Sequence, residues 1–170
     1  MNLKILGAIL VITACGGYGF LIALQHKKEI RYLRNLSSLL TFIDCELLFH
    51  LTPLPELCRQ AGDLSVGTLD KLFYTLSKEL EHQISPDAHQ CMLASISQCK
   101  ELPAKTKRLL AQLGTVLGRF DLEGQKKGLD AIKAETKRVL QECSENQDVR
   151  IRSYQTLGVC AGAAVVILFI

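Results

Sequence analysis

The chain has 170 residues, 48% of them hydrophobic and 22% charged, with six Phe, four Tyr and no Trp, and its mean hydropathy is +0.19. That is one domain's worth of residues and somewhat greasier than a soluble one. With 12 Gly, four Pro and a net charge of +3, composition excludes a disordered or fibrous chain and offers no reason to expect a nucleic-acid partner.

The apolar excess sits at the two ends. Ile5 to Leu24 contains no charged residue, and as a helix it is about 30 Å long, the thickness of a bilayer's hydrocarbon core. It predicts an N-terminal transmembrane helix over 1–24. The uncharged stretch Ser153 to Ile170 predicts a second over 153–170. Lys27, Lys28, Arg31 and Arg34 follow the first span, Arg150 and Arg152 precede the second, and only Lys4 lies beyond either. By the positive-inside tendency the region 25–152 is a cytoplasmic domain with the lipid bilayer at both its ends. A rival reading takes Ile12-Thr13-Ala14-Cys15-Gly16 as a lipoprotein signal with Cys15 lipidated. Against it, the apolar run continues through Tyr18, Phe20, Leu21, Ile22 and Leu24. Within the spans, Cys15, Gly19 and Ala23 recur at i, i+4 and i+8, and Gly158 and Gly162 form a GxxxG. Each is a stripe of small residues on which another helix backbone can pack closely.

Between the spans the apolar period is helical throughout. Leu33, Leu36, Leu40, Ile43, Leu47 and Leu51 extend the first helix to about His50. Thr52-Pro53 reads as a cap followed by proline at the first helical position, opening a short helix through Leu54, Leu57, Cys58 and Ala61. Leu69, Leu72, Phe73, Leu76 and Leu80 mark a third helix. Ser85-Pro86-Asp87 repeats the cap-and-proline signal before a fourth, carrying Leu93 and Ile96. Pro103 opens a fifth with Leu109, Leu110, Leu113, Val116 and Leu117, which Gly118 ends. The last starts near Asp121 and carries Leu122, Leu129, Ile132, Val139, Leu140 and Cys143. No alternating β-branched run occurs, so the expected fold is an all-α cytoplasmic bundle of about six helices, flanked by N- and C-terminal transmembrane helices. Short connections make neighbours antiparallel, with the first and last helices side by side.

The seven cysteines form no CxxC pair, and a cytoplasmic domain keeps them reduced. The grouping His82, His89, Cys91 and Cys99 fits no zinc spacing. No Ser/His/Asp, Cys/His or paired-carboxylate arrangement has local support, so no enzyme activity and no cofactor are expected.

Two segments ask for more than packing. In Glu46-Leu-Leu-Phe-His-Leu-Thr-Pro-Leu-Pro-Glu56, Glu46 precedes a helix end and Glu56 stands in a first helical turn. In Leu117-Gly-Arg-Phe-Asp-Leu-Glu-Gly-Gln125, Arg119, Asp121, Glu123 and Gln125 cluster at a glycine stop. The structural readings are a dipole-favoured carboxylate for Glu56 and an N-cap for Asp121. The functional reading is an exposed docking surface at two helix ends.

The string TPLPE after a long helix, the later LGRxDxxxQ, and a glycine-bearing first span paired with an apolar tail together resemble the stage III sporulation protein AB family of endospore-forming bacteria, over nearly the whole chain. Where that family often has a tyrosine-glycine step before TPLPE, this chain has Phe49, His50 and Leu51. The resemblance implies a mother-cell membrane protein whose cytoplasmic domain is similar to the type II secretion F domain. It also implies a place in the complex linking mother cell and forespore, beside other stage III sporulation membrane proteins. The partner so implied is the secretion-type ATPase called stage III sporulation protein AA, and Glu46, Glu56, Arg119, Asp121, Glu123 and Gln125 are the candidate docking residues. A membrane-anchored or lipidated helical binding module with no motor partner is the alternative. Oligomerisation stays open.

Overall fold

The apolar stripes identified in the sequence fold as helices. The computed structural model describes residues 2–49, 52–82, 87–118 and 123–145, with side chains from Leu24 onward except that of Leu48. Six helices follow one another: α1 (Asn2–Phe49), α2 (Leu54–Asp63), α3 (Thr68–Glu81), α4 (Ala88–Gln98), α5 (Ala104–Val116) and α6 (123–145). No strand occurs among the described residues. The chain divides into two units, Arg31–Leu140 and, separately, Met1–Ile30 with Gln141–Ile170. In the second, only 2–30 and 141–145 are described, with His26 Nδ1 3.8 Å from Glu29 and Gln141 donating to Glu145 at 2.7 Å.

The α1 stripe is buried as predicted through Leu33, Leu36, Leu40 and Ile43, joined by Leu39; Leu47 is half-buried, and His50 and Leu51 lie outside the described residues. Leu57, Cys58 and Ala61 of α2, Leu69, Leu72, Phe73 and Leu76 of α3, Leu109, Leu110 and Leu113 of α5, and Leu129, Ile132 and Val139 of α6 complete the expected core. Leu80, Val116 and Leu140 are half-buried, and one position departs outright. Leu93 of α4 is 44% exposed, and Cys91, Met92, Ser95 and Ile96 face inward instead. The reason is the close approach of α4 to α5. A Cβ on Gly114 would lie 2.7 Å from Met92 Cβ and 3.3 Å from His89 Cα, a spacing that small and flexible side chains tolerate and a branched Leu does not.

Helix starts differ from expectation in a consistent way. Pro53 and Pro103 occupy the N-cap positions of α2 and α5, with extended backbone and no side-chain cap, and each carbonyl accepts the first helical bond, from Leu57 N–H at 2.9 Å and Lys107 N–H at 3.0 Å. α2 thus starts at Leu54, one residue later than the cap-and-proline signal places it, and the Thr52 hydroxyl donates to Glu46 instead of capping the helix. At α4 the cap is Asp87, whose carboxylate accepts from His89 N–H at 3.2 Å; Ser85 and Pro86 lie outside the described residues. Gly118, at φ +81, follows α5 as expected, since only glycine enters that region without strain.

Neighbours in the Arg31–Leu140 unit run antiparallel. Met92 near the start of α4 meets Gly114 near the end of α5, and Val116 at the end of α5 lies 2.7 Å from the Cβ position of Gly128 early in α6. Lys133 Nζ of α6 reaches Asp44 near the end of α1 at 2.6 Å, so the first and last helices do meet. Tyr32 of α1 shares a 3.0 Å hydrogen bond with Thr68 at the start of α3. Turns therefore alternate between two ends of the bundle.

Cys15, Gly19 and Ala23 lie on α1, in the stretch whose side chains are not described; Gly158 and Gly162 lie outside the described residues. Among the residues described with side chains, no helix is long and apolar enough to cross a membrane.

Gly114 gives a stability test. Alanine is favoured over glycine in a helix by about 1 kcal/mol, but the added methyl must push the α4 and α5 backbones apart, which costs roughly 1–3 kcal/mol. Gly114→Ala is therefore expected to lower Tm in circular-dichroism melts. Gly62→Ala, whose nearest neighbour is the ring of the exposed Tyr74 at 3.3 Å, should leave Tm unchanged or raise it.

Candidate functional site

Alternation of the turns brings the two sequence segments to the same end of the bundle. The Cβ position of Gly118, just past α5, is 3.2 Å from Ala88 Cβ at the start of α4 and 3.8 Å from Leu54 Cδ2 at the start of α2. The glycine is required there twice over, for its positive φ and for this close approach. TPLPE and the first residues of LGRxDxxxQ thus form one surface, built from the end of α1, the starts of α2 and α4, and the exit of α5.

Glu46 sits in the last turn of α1, half-buried. A carboxylate at a helix C-terminal end opposes the macrodipole, and the Thr52 hydroxyl offsets this by donating to Glu46 Oε2 at 2.8 Å. That bond ties the end of α1 to the lead-in of α2. Next to it, Phe49 is 77% exposed.

Glu56 occupies the first turn of α2. Its two oxygens accept a bidentate pair from Arg59 Nε and Nη2, both at 2.8 Å, and a third bond from Gln60 Nε2 at 3.0 Å. The Arg59 hydrogen bonds first, then that of Gln60, hold the carboxyl down at about 2. It is a fixed anion at any physiological pH and cannot exchange protons there.

Glu123, at the start of α6, pairs with Lys127 at 2.8 Å, and both side chains are more than three-quarters exposed. Such an i,i+4 pair contributes little to stability. Gln125 corrects the expectation of a fully exposed cluster: it is buried, 8% exposed, one helical step from the Glu123 face, and belongs to the packing of α6. Arg119 and Asp121 lie outside the described residues.

The thiols and imidazoles stay apart. His82 follows the end of α3, His89 and Cys91 lie in the first turns of α4, and Cys99 follows its last residue. Among the described residues no three groups of metal-ligating type come together. Burial pushes the Cys58 thiol up to about 12, which leaves it unreactive.

Sequence reasoning missed the partners of the named acids. Arg59 and Gln60, three and four residues beyond Glu56, were legible from helical spacing. The bond from Thr52 to Glu46 and the meeting of Gly118 with Leu54 were not, because both arise only when separate helices pack.

Comparison with known proteins places these features. The family model described as stage III sporulation protein AB matches residues 4–170. Stage III sporulation protein AB of Bacillus subtilis (strain 168) is 23% identical over 168 residues, 98% of each chain. A solved structure of a stage III sporulation protein AB superposes with a TM-score of 0.65 at 21% identity, covering 72% of this chain and 98% of its own; at that identity the likeness speaks for the fold.

The Glu56 clamp can be read directly. Carboxyl titration by NMR should find its midpoint near 2, and Arg59→Ala should raise it toward the ordinary 4.5. Because the folded value is the lower one, any support the clamp lends to folding is complete above about pH 4.5 and fades as pH falls toward 2.

Proposed function

The chain belongs to the stage III sporulation protein AB family, and from that premise we propose that it is a non-catalytic membrane platform of the sporulation complex, docking a cytoplasmic secretion-type ATPase. In this reading helices at 1–24 and 153–170 lie in the mother-cell membrane, where the small-residue stripes Cys15, Gly19 and Ala23, and Gly158 and Gly162, pack against other stage III sporulation membrane proteins. The helical domain is cytoplasmic, and its ATPase is of the stage III sporulation protein AA type.

The observation that carries the proposal is the convergence of the two family-resembling turns. Segments more than sixty positions apart in sequence meet at Leu54, Ala88 and Gly118. Around them stand groups suited to recognition: an exposed aromatic, Phe49, and the carboxylates of Glu46, Glu56 and Glu123, held by hydrogen bonds or ion pairs. Aromatic anchors flanked by polar groups are the usual composition of a protein interface. A carboxyl held near 2 suits a fixed contact and not acid–base chemistry.

Charge reversal at Glu56 or Glu123 tests the docking. Glu56→Arg sets a second cation beside Arg59, and Glu123→Lys does the same beside Lys127. Glu123 is exposed and Glu56 half-buried, so Tm is expected to fall by no more than about 4 °C for Glu123→Lys and about 8 °C for Glu56→Arg. Capture of the ATPase by the full chain should fall about tenfold. A large fall in Tm with unchanged capture would assign these residues to structure and end the docking proposal.

Topology is a separate test. Reporters fused near Lys100, in the exposed turn after α4, should be active only if they are of the cytoplasmic kind. Activity of a periplasmic-type reporter at that site would favour the anchored binding module facing outward.

A further inference from the structure

α4 differs from the other helices in its composition. Among the described residues it is the one helix without an Asp, Glu, Lys or Arg. Its outward side consists of Gln90, Leu93, Ala94 and Ser97, with Leu93 44% exposed, whereas a water-facing helix ordinarily carries charge there. Leu93 is also the middle residue of the helix, Ala88–Gln98.

α5 extends this face. Met92 meets Gly114, so Leu93, the next residue along, borders the part of α5 from Leu109 onward, which is free of charge as far as Gly118. Ala111 and Thr115 reach the surface there, the first half-buried and the second exposed. The hydroxyls of Ser97 and Thr115 donate back to their own helices, to the Ala94 and Gln112 carbonyls, each at 2.7 Å. The face along the α4–α5 seam is thus poor in charge and in outward-directed hydroxyl donors, and depletion of charge is what sets the core of an interface apart from ordinary surface.

The two ends of this face differ in sign. At one end stands the exposed Asp87, which keeps its charge while capping α4 through His89 N–H; the Glu56–Arg59 couple of α2 nearby is neutral as a pair. At the other end Lys100 is exposed, and Lys107 Nζ lies 3.5 Å from its carbonyl. Lys71 and Asp70 also act on Cys99 there, and Glu101 follows Lys100, so Lys71, Lys100 and Lys107 outweigh Asp70 and Glu101 by one charge. Asp87 and Lys100 each stand about 10 Å of helix rise from Leu93. The face therefore complements itself: turned end for end about Leu93, it brings Asp87 of each copy to Lys100 of the other and sets Leu93 against Leu93. A twofold contact asks for this, because a charged residue near the axis would meet its own like.

We infer that the α4–α5 face is a surface on which two copies of this chain meet, α4 antiparallel to α4, with Leu93 at the twofold axis. One helix length, about 16 Å, by two helix widths, about 20 Å, is on the order of 300 Å² per copy, against ~800 Å² for a stable interface. The contact is accordingly weak and forms where copies are concentrated. It is independent of the ATPase-docking and membrane readings above.

Covalent trapping tests it. Full-length protein purified in detergent carries the photoreactive residue benzoylphenylalanine in place of Gln90, one turn from Leu93, or, as a control, in place of Lys78, exposed on α3. Irradiation should join two chains from position 90 at least about fivefold more than from position 78, and mass spectrometry should place the bond on α4 or α5 of the second copy. In the position-90 protein, Leu93→Lys and Leu93→Glu should each lower the yield about fivefold with the circular-dichroism spectrum unchanged, while an equimolar mixture of the two should recover at least about half of it, since opposite charges then meet at the axis. Equal yields from positions 90 and 78, a bond located on another helix, or a mixture that recovers nothing would each overturn the inference.

Discussion

Burial of one face of α1 is the interaction on which the rest of the helical domain depends. Leu33, Leu36, Leu39, Leu40 and Ile43 are each no more than 1% exposed. At roughly 1.5–3 kcal/mol for each fully buried side chain, their gross contribution is on the order of 10 kcal/mol, the size of a whole domain's net stability. The same helix is tied near one end of the domain by Tyr32 to Thr68 and near the other by Asp44 to Lys133 and Glu46 to Thr52. The Asp44–Lys133 pair is mostly buried, with 16% and 23% of the side chains exposed, so its removal from one side would strand a partly desolvated charge. α1 therefore sets both where the other helices lie and which turns share an end.

What the sequence disclosed follows the size of the energetic signal. Leu and Ile stripes at helical spacing carry most of the burial energy, and among the described residues they located six helices and most of the core. Errors came where small residues decide the packing. Leu93 outranks Ser95 in apolarity, yet Ser95 is fully buried because α4 lies tight against α5 and its hydroxyl is satisfied by the Cys91 carbonyl at 2.9 Å. Thr136 is buried by the same device, donating to Ile132 at 2.7 Å. A hydroxyl that returns its hydrogen bond to the preceding turn is nearly neutral to bury, and no apolar period reveals it.

The candidate site was legible in its pieces and not in its assembly. Glu46 and Glu56 could be placed at helix ends from local signals alone. Their company could not, since Gly118 meets Leu54 only because the turns alternate ends, and a single miscounted helix would have separated them. Gln125 shows the converse. A motif position two residues from an exposed Glu123 looks like a continuation of the same surface, but two residues along a helix is about 200° of rotation, which carries Gln125 into the core.

The alternation that assembles the site also removes one source of its polarity. At the end bearing Glu46, the C-terminal ends of α1 and α5 stand beside the N-terminal ends of α2 and α4, so helix dipoles of opposite sign oppose one another and leave little net field. Recognition at either end must then come from side chains. At this end the acids are held locally: Glu56 by Arg59, Glu123 by Lys127, Asp44 by Lys133, and Glu46 by the Thr52 hydroxyl. A partner there meets local pairs whose strength depends on exact geometry, which favours specificity over long-range attraction.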